Sequence, residues 1–192
     1  MKERVQIGKE EELKILHQMQ DQGIPVTEAT EREDKISKID AWWLMKAGQP
    51  AVGLQIKYRE TGDDILFEAI LDIDKRVEGR DMRGRADYYL SVDRKGSGAI
   101  VRMSDLKGRI QRCLAEFDLN GIQDKEFPEE GVSLKIRTDP YHGQRKCIAF
   151  VKKENIPVVK RLQFTGIGSG SAAAGPAPGP KATLDKWLGS ED

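Results

Sequence analysis

The sequence predicts a mixed α/β domain, a sheet with helices packed against it, followed by a flexible C-terminal tail. Three observations lead to this prediction. Residues 9–21 carry apolar side chains at a helical spacing, and short β-rich runs recur from residue 37 onward. Residues 166–180 consist of glycine, alanine, proline and serine apart from one isoleucine, a composition that cannot bury a core.

The first helix is predicted over residues 9–21, and its apolar stripe consists of Leu13, Leu16 and Met19. A second helix is predicted after the later strands, with Ser104 as its N-cap. The first three predicted strands are joined by short turn sequences, so we expect them to pair in chain order as a meander. The predicted strands cover residues 37–46, 51–59, 64–72, 86–92, 99–103, 132–138, 147–151 and 156–164.

Composition restricts the class of protein. The chain has 192 residues, and its 32 basic residues balance 32 acidic ones, so any nucleic-acid surface must be local. The two cysteines, Cys113 and Cys147, form neither a disulfide framework nor a zinc-site spacing. The sequence shows no secretory leader and no apolar stretch of roughly 18 residues. We therefore expect a soluble intracellular protein of a reducing compartment, the cytoplasm, nucleoid or nucleus, with no membrane partner.

One segment groups polar side chains that carry chemistry. If residues 47–50 close a four-residue hairpin loop, Asp40 lies opposite Lys57 on the neighbouring strand. Side chains alternate along a strand, so Asp40, Gln55 and Lys57 project from the same face. Cross-strand neighbours are roughly 5 Å apart, close enough to share a cation and a water. The alternative interpretation is a structural salt bridge between Asp40 and Lys57.

This arrangement resembles the PD-(D/E)xK nuclease superfamily, in which an Asp on one strand and an acidic-x-Lys triplet on the next bind a divalent metal. Here the triplet is Gln55-Ile56-Lys57. Glutamine departs from the common acid, but some restriction enzymes and transposon end-cleaving subunits have similar triplets. The resemblance covers about residues 12–92. It implies a restriction-endonuclease-like mixed central sheet flanked by helices, and a metal-dependent phosphodiesterase that uses Mg²⁺ or Mn²⁺.

The resemblance also implies roles for the grouped residues. Asp40 would be the principal metal ligand, with the amide oxygen of Gln55 and the carbonyl of Ile56 beside it. Lys57 would orient or deprotonate a water and offset the charge of the phosphate.

A neutral glutamine weakens the negative field of such a site, so a further acid is expected. Glu12 is one candidate, because it lies on the first helix where relatives place an acidic residue. Glu68 is the other, because the predicted meander puts it opposite Gln55. For each residue the alternative is an ordinary solvated side chain.

Contacts with DNA are predicted in residues 76–112, which contain ten Lys or Arg residues and only five Asp or Glu residues. The alternative interpretation is solvated surface charge. The candidate DNA-binding residues are Arg80, Arg83, Arg85, Tyr88, Arg94 and Lys95.

The C-terminal end resembles the PIP box, the sliding-clamp-binding peptide of archaeal and eukaryotic replication proteins. Leu184, Trp187 and Leu188 match its three anchors, and Lys181 replaces its usual glutamine. One helical turn gathers these anchors into an apolar plug. The predicted domains are therefore a nuclease-like body over residues 1–164, a flexible linker over 165–180 and a clamp-binding peptide over 181–192. The alternative is a terminal turn that packs back on the body.

The leading hypothesis is a structure-specific, metal-dependent DNA endonuclease of repair, recombination or replication, recruited by a sliding clamp of the archaeal or eukaryotic type. One alternative is a non-catalytic, clamp-binding DNA adaptor with a degenerate nuclease fold. Another is a transposon end-cleaving subunit. The sequence leaves open whether the substrate is a junction, flap, mismatch or nick, and whether the chain forms a homodimer.

Overall fold

The computed structural model describes residues 2–121, 123–139 and 142–168, with side chains from Gly8 onward. The helices are α1 (Lys2–Asp21), α2 (Glu31–Ser37), α3 (Arg80–Arg83) and α4 (Met103–Ala115), and one 3₁₀ turn covers Lys153–Asn155. The strands are β1 (Val26–Glu28), β2 (Ala41–Trp43), β3 (Val52–Arg59), β4 (Ile65–Asp72), β5 (Val77–Glu78), β6 (Tyr88–Asp93), β7 (Ser97–Arg102), β8 (Lys125–Phe127), β9 (Val132–Thr138), β10 (Arg145–Val151) and β11 (Val158–Gln163).

The strands form two sheets, which confirms the predicted mixed α/β class. The six-stranded sheet has the order β1-β2-β3-β6-β7-β11, and the five-stranded sheet has the order β5-β4-β10-β9-β8. Within the six-stranded sheet, strands β3 and β6 are parallel. The other neighbouring pairs of strands in this sheet are antiparallel. None of the helices in the described residues combines the length and the apolar character that crossing a membrane requires.

Two apolar layers cover the two faces of the six-stranded sheet. On one face, Ile15 and Met19 of α1 pack in a cluster with Ile56 of β3. On the other face, Tyr89 of β6 packs in a cluster with Phe67 of β4, together with residues of α4. Strand β3 is therefore central, with helix on one side and the second sheet on the other.

The helical stripe of α1 differs slightly from the predicted one. Leu16 and Met19 are buried as expected, but Ile15 replaces Leu13, which remains 41% exposed. The helix also begins earlier, at Lys2.

The predicted meander is wrong, because β3 and β4 lie in different sheets. Strand β4 pairs with β10 and β5, and β3 has β2 and β6 as its neighbours. The alternation of β4 matches that of β10, so that Phe67 and Ala149 face one core from adjacent strands. Gln55 consequently does not lie opposite Glu68.

The register of the first hairpin also differs from the prediction. Ala41 pairs with Leu54 and Trp43 with Val52, so the loop between β2 and β3 is longer than four residues. Asp40 lies at the level of Gln55 rather than Lys57. This is a shift of two residues, and a shift of two preserves which face each side chain occupies.

The structure contains a short helix, α2, just before the strand predicted over residues 37–46, in a segment for which no element was predicted. Helix α2 begins after Thr30, whose hydroxyl accepts a hydrogen bond from the Glu33 N–H at 3.3 Å. The Glu33 carboxylate accepts one from the Thr30 N–H at 2.8 Å, which completes a capping box. Lys38, with φ +57°, ends the helix. The N-cap of α4 is Arg102 rather than Ser104.

The packed chain continues to Gly168, beyond the expected boundary at residue 164. The side chain of Gln18 exchanges two hydrogen bonds with the backbone of Thr165, at 2.7 and 2.8 Å. Ile167 is buried, and the Gly168 N–H donates to the Glu11 carboxylate at 3.0 Å. The rest of the predicted linker and the predicted clamp-binding peptide lie outside the described residues.

Candidate functional site

The candidate site is built at a gap in the pairing of β3. Strand β2 begins at Ala41, which pairs with Leu54, so beyond Leu54 this edge of β3 has no partner strand among the described residues. We call it the open edge of β3. Asp40 fills the gap: its N–H donates to the Leu54 carbonyl at 2.9 Å, and its carboxylate accepts from the Ile56 N–H at 2.6 Å. The N–H and C=O of one strand residue point to the same edge, so the Ile56 carbonyl also faces this gap.

Helix α1 brings a second carboxylate to the same place. The Lys57 ammonium donates to Glu12 at 3.1 Å, although 45 residues separate the two in the chain. Packing of α1 on β3 through Ile15 and Ile56 sets this approach. Glu12, Asp40 and the end of the Lys57 side chain therefore meet at the open edge.

Charges around Lys57 keep it protonated. Burial disfavours the ammonium, but the nearby carboxylates of Asp40, Glu12 and Asp81 outweigh that penalty and raise the pKa of Lys57. At neutral pH the group is thus a cation that donates hydrogen bonds.

Burial acts more strongly on the two carboxylates than the compensation they receive from Lys57. Burial raises the pKa of Glu12, and the attraction of Lys57 offsets this rise only in part. Burial likewise raises the pKa of Asp40, opposed by Lys57 and by the Ile56 N–H, and a hydrogen bond with Asp34 adds to the rise. A cleft of about 130 Å³ is lined by these three acids together with Glu28, Lys9 and Ile56, among others. Two ammonium groups face these four carboxylates: Lys57, which contacts Glu12, and the more exposed Lys9, 3.9 Å from Asp34.

The Gln55 side chain is oriented by Asp81, an acid that was not among the predicted site residues. Its side-chain N–H donates to one oxygen of Asp81 at 2.8 Å, and the other oxygen accepts from the Glu68 N–H at 2.7 Å. Gln55 is 1% exposed, and its amide oxygen has no hydrogen-bond partner among the described residues. A buried acceptor without a partner is costly, so this oxygen is available to a cation or a water.

Glu68 lies near this group but does not face it with its carboxylate. The carboxylate accepts from the Arg80 N–H at 3.0 Å, and only the backbone of Glu68 contacts Asp81. The reason for choosing Glu68, its pairing opposite Gln55, fails because β4 belongs to the second sheet. Of the two extra acids considered, Glu12 is the one that contacts Lys57.

The oxygen atoms present fit a hard divalent cation. No three His, Cys, Asp or Glu side chains in the described part of the chain group closely enough to form a cation site by themselves. Two carboxylates, a partnerless amide oxygen and a backbone carbonyl nevertheless make up the oxygen-rich donor set that Mg²⁺ binds together with water. The residues that would hold the ion are Glu12, Asp40, Gln55 and Ile56.

Two acids were missed, and each has a signal in the sequence. Asp34 belongs to α2, whose start is marked in the sequence by the Thr30-x-x-Glu33 capping box. Asp81 lies within the arginine-rich stretch and is buried. An isolated acid among basic residues, next to a glycine-led helix start, is a weak signal for such a role.

The predicted DNA-binding residues occupy two ends of β6. Arg83 and Arg85 are exposed, and the Arg85 N–H donates to the Ser37 carbonyl at 2.7 Å, which places them beside the end of α2. Tyr88 packs edge-on against Trp43 and therefore has a packing role. The other candidates, Arg80, Arg94 and Lys95, are exposed. The clamp-binding candidates Lys181, Leu184, Trp187 and Leu188 lie outside the described residues.

Comparisons with known proteins assign no family: no family model, curated protein or solved structure matches the chain. The chemistry of the site therefore has to be argued from its own geometry.

Removing the Lys57 ammonium should leave the Glu12 and Asp40 carboxylates without the cation that offsets their burial. In the folded chain Glu12 and Asp40 hold protons to a higher pH than ordinary carboxyl groups, so their burial reduces stability as the pH rises through and above the usual carboxyl range. Lys57 limits that loss. We expect Lys57→Met to lower the free energy of unfolding more at about pH 8 than at about pH 4.5, measured by urea unfolding in EDTA. Lys35→Met, which breaks an exposed pair with Glu31, is the matched control and should change stability little at either pH. An equal loss for Lys57→Met at both pH values would contradict the charge balance described here.

Proposed function

We propose that the protein is a metal-dependent DNA endonuclease of the PD-(D/E)xK type, recruited to its substrate by a sliding clamp. One observation carries the proposal. Glu12, Asp40 and Lys57 come from a helix, a strand entry and a central strand, and they converge at the open edge of β3. A structural salt bridge requires only two of these groups and leaves the third buried charge unexplained.

The arrangement of elements supports the same proposal. The resemblance implies a mixed central sheet with a helix against it. Here an antiparallel β2–β3 pair is followed by the parallel strand β6, and α1 covers one face. An acid on α1, an Asp before β2 and a Lys on β3 therefore support the proposal by their order along these elements.

The chemistry divides between the ion and the chain. A bound Mg²⁺ or Mn²⁺ would supply stabilisation of charge on the phosphate and a more acidic water. Glu12 and Asp40 would hold the ion through their carboxylates, with the Gln55 amide and the Ile56 carbonyl as neutral ligands. Asp81 fixes the amide orientation through its hydrogen bond with Gln55.

Lys57 acts as a cation in this proposal. Because its pKa is raised, the ammonium offsets negative charge on the phosphate and holds a water by donating to it. This favours the orienting role over proton abstraction, the two roles that the sequence left open.

A second candidate is the non-catalytic clamp-binding adaptor. The observation in its favour is that Gln55 is neutral and already engaged with Asp81, which leaves one carboxylate fewer than the common triplet. An adaptor would keep DNA affinity without cleavage.

Recruitment by a clamp remains part of the proposal. Gly168, the last described residue, donates its N–H to the carboxylate of Glu11, the residue before Glu12. A clamp-bound tail would therefore hold the candidate site itself at a raised effective concentration near DNA.

Cleavage is the direct test. With Mg²⁺ or Mn²⁺ we expect the protein to cut at least one DNA in a panel of junction, flap, mismatched, nicked and linear molecules, and to cut none in EDTA. Asp40→Asn and Lys57→Ala should each lower the rate on the order of a hundredfold or more, with DNA affinity retained. Asp124→Asn, which breaks an exposed pair with Arg137, is the control and should cleave normally. If folded protein cuts no DNA with either metal, the adaptor interpretation replaces this one.

Gln55→Glu tests the metal assignment. The new carboxylate meets Asp81 where the amide N–H now donates at 2.8 Å, so we expect a lower melting temperature in EDTA. Mg²⁺ should then raise the melting temperature more than in the parent, because an added charge favours a hard cation. Adding Asp81→Asn should remove the penalty in EDTA and keep the larger metal effect.

The same thermal assay separates the two extra acids. Glu12→Gln should lose the Mg²⁺-dependent rise, and Glu68→Gln should retain it, since the Glu68 carboxylate is engaged with Arg80. Identical metal effects in the parent, Gln55→Glu and Glu12→Gln would remove these residues from the ligand set.

The tail yields a separate prediction. Trp187→Ala combined with Leu188→Ala removes two apolar anchors, each worth roughly 1.5–3 kcal/mol when buried. We expect at least about a hundredfold weaker binding to an archaeal or eukaryotic-type clamp. Titration calorimetry with the peptide of residues 180–192 measures this directly. Absence of binding by the parent peptide, with a lower melting temperature of the double variant, would show that the tail packs on the body instead.

A further inference from the structure

The outer face of the five-stranded sheet carries an aromatic ring beside two cations. Alternation along β10 turns Ala149 and Val151 into the core and leaves Phe150 half-buried on the opposite face. The Arg59 guanidinium carbon lies 5.6 Å from the ring centroid of Phe150, and the Lys135 ammonium nitrogen lies 5.1 Å from it.

Two residues flank this ring on the neighbouring strands. Leu66 of β4 and Ser133 of β9 are both in register with Phe150, so their side chains share its face. We call Arg59, Leu66, Ser133, Lys135 and Phe150 the Phe150 platform. All five side chains are half-buried.

The cations of the platform lack the acidic partners that their neighbours have. In the part of the chain that the structure describes, neither Arg59 nor Lys135 forms an ion pair, whereas Arg137 on the same face is 3.0 Å from Asp124. The Arg59 guanidinium is held by the Thr61 carbonyl, 2.8 Å from Nη2. Two positive groups are thus positioned without a direct ion pair. The cleft beside them is also lined by the carboxylates of Asp64 and Glu126 and by a third cation, Lys152.

Unused polar atoms lie in the same place. Within the described residues, Nη1 of Arg59 and the hydroxyl of Ser133 are buried and have no hydrogen-bond partner. Each loses hydrogen bonds to water without replacing them, which costs stability. Donors left in this state, around an accessible ring, point to an anionic ligand with an aromatic part.

Strand β3 links the platform to the candidate site. Gln55, Lys57 and Arg59 alternate along β3 and therefore share one face of it. Tyr89, in register with Gln55, donates to the Leu66 carbonyl at 2.6 Å, which joins the site to the edge of β4. Lys57 and Arg59 are two strand residues apart, so their Cα atoms are separated by about 7 Å.

We propose that the Phe150 platform binds a single-stranded DNA segment beside the scissile phosphate. One base stacks on Phe150, while Arg59 and Lys135 contact the phosphates on either side of it. Both cations lie at the loose end of the cation–π range, so a base displaces them from the ring without breaking an ion pair. The inference rests on the proposed nuclease function, because that function makes DNA the ligand.

An unpaired strand fits this surface better than a duplex. Bases in a duplex present only their edges and phosphates, whereas an unpaired base offers its face to an aromatic ring. The platform thus narrows the substrate class to DNA with an unpaired strand next to the cut, such as a flap or an open branch.

Fluorescence anisotropy in EDTA measures binding in the absence of cleavage. The probes are a labelled oligothymidylate and a duplex of the same length. Phe150→Leu keeps apolar volume and removes the ring, so we expect about tenfold weaker binding of the single strand and less than about twofold change for the duplex. Lys135→Gln should reduce the slope of log affinity against log salt by about 0.7 for the single strand.

A matched control loses the same charge elsewhere. Arg161→Gln removes an exposed cation on the edge strand β11 and should leave single-strand affinity unchanged. Melting temperatures of all variants report on folding, and the Lys135→Gln salt slope keeps the test informative if Phe150→Leu folds poorly.

The outcomes separate this inference from the proposed function. Unchanged single-strand binding and salt slope in both variants, equal losses for the single strand and the duplex, or no binding of the single strand by the parent would overturn the platform. Cleavage by the parent in any of these cases would leave the nuclease standing. Single-strand binding that depends on Phe150, without cleavage of any DNA, would retain the platform and reject the nuclease.

Discussion

The hydrogen bond from the Ile56 N–H to the Asp40 carboxylate is the interaction on which the candidate site depends. It replaces a backbone partner that β2 does not supply, and it fixes a negative group where strand pairing stops. A longer β2 would cover this edge with backbone and leave no room for side chains. The short hairpin strand is therefore a structural condition for any chemistry at β3.

Packing of α1 then converts that single carboxylate into a charged cluster. The apolar stripe of α1 determines how the helix lies on β3, and Glu12 follows from it by position alone. The helix places the half-buried Glu12 carboxylate beside that of Asp40, and Lys57 is the cation that contacts it. A partly buried cluster of carboxylates lowers the stability of the fold, and groups of this kind are typical of functional sites.

Much of this site could be predicted because an error in the register of strand pairing does not always change the face on which a side chain lies. The predicted pairing of Asp40 was wrong by two residues, yet strand alternation has a period of two, so the grouping of Asp40, Gln55 and Lys57 on the same side remained intact. The helical period likewise led to Glu12. These are local patterns, and local patterns are legible in a sequence.

The remaining features depend on contacts between distant segments. Pairing of β3 with β6, and of β4 with β10, is decided by which apolar faces fit together across the whole chain, so the meander and the approach of Glu68 were predicted wrongly. Asp81 has its role only because α3 lies across β4, which brings its carboxylate to Gln55. The strand predictions were largely correct because the alternation of apolar and polar side chains is a property of each strand segment alone.

Helix α2 has a consequence for how the cleft is reached. None of its residues is buried, and its ends are secured by the local capping box and by the left-handed Lys38. A segment held this way opens at a small fraction of the global unfolding free energy, so its amide protons should exchange with solvent sooner than those of β3. Because Asp34 lies on α2 and lines the cleft, one wall of the cleft is carried by a helix that buries none of its own residues. That wall should therefore open at a lower free energy than the sheet that carries Lys57.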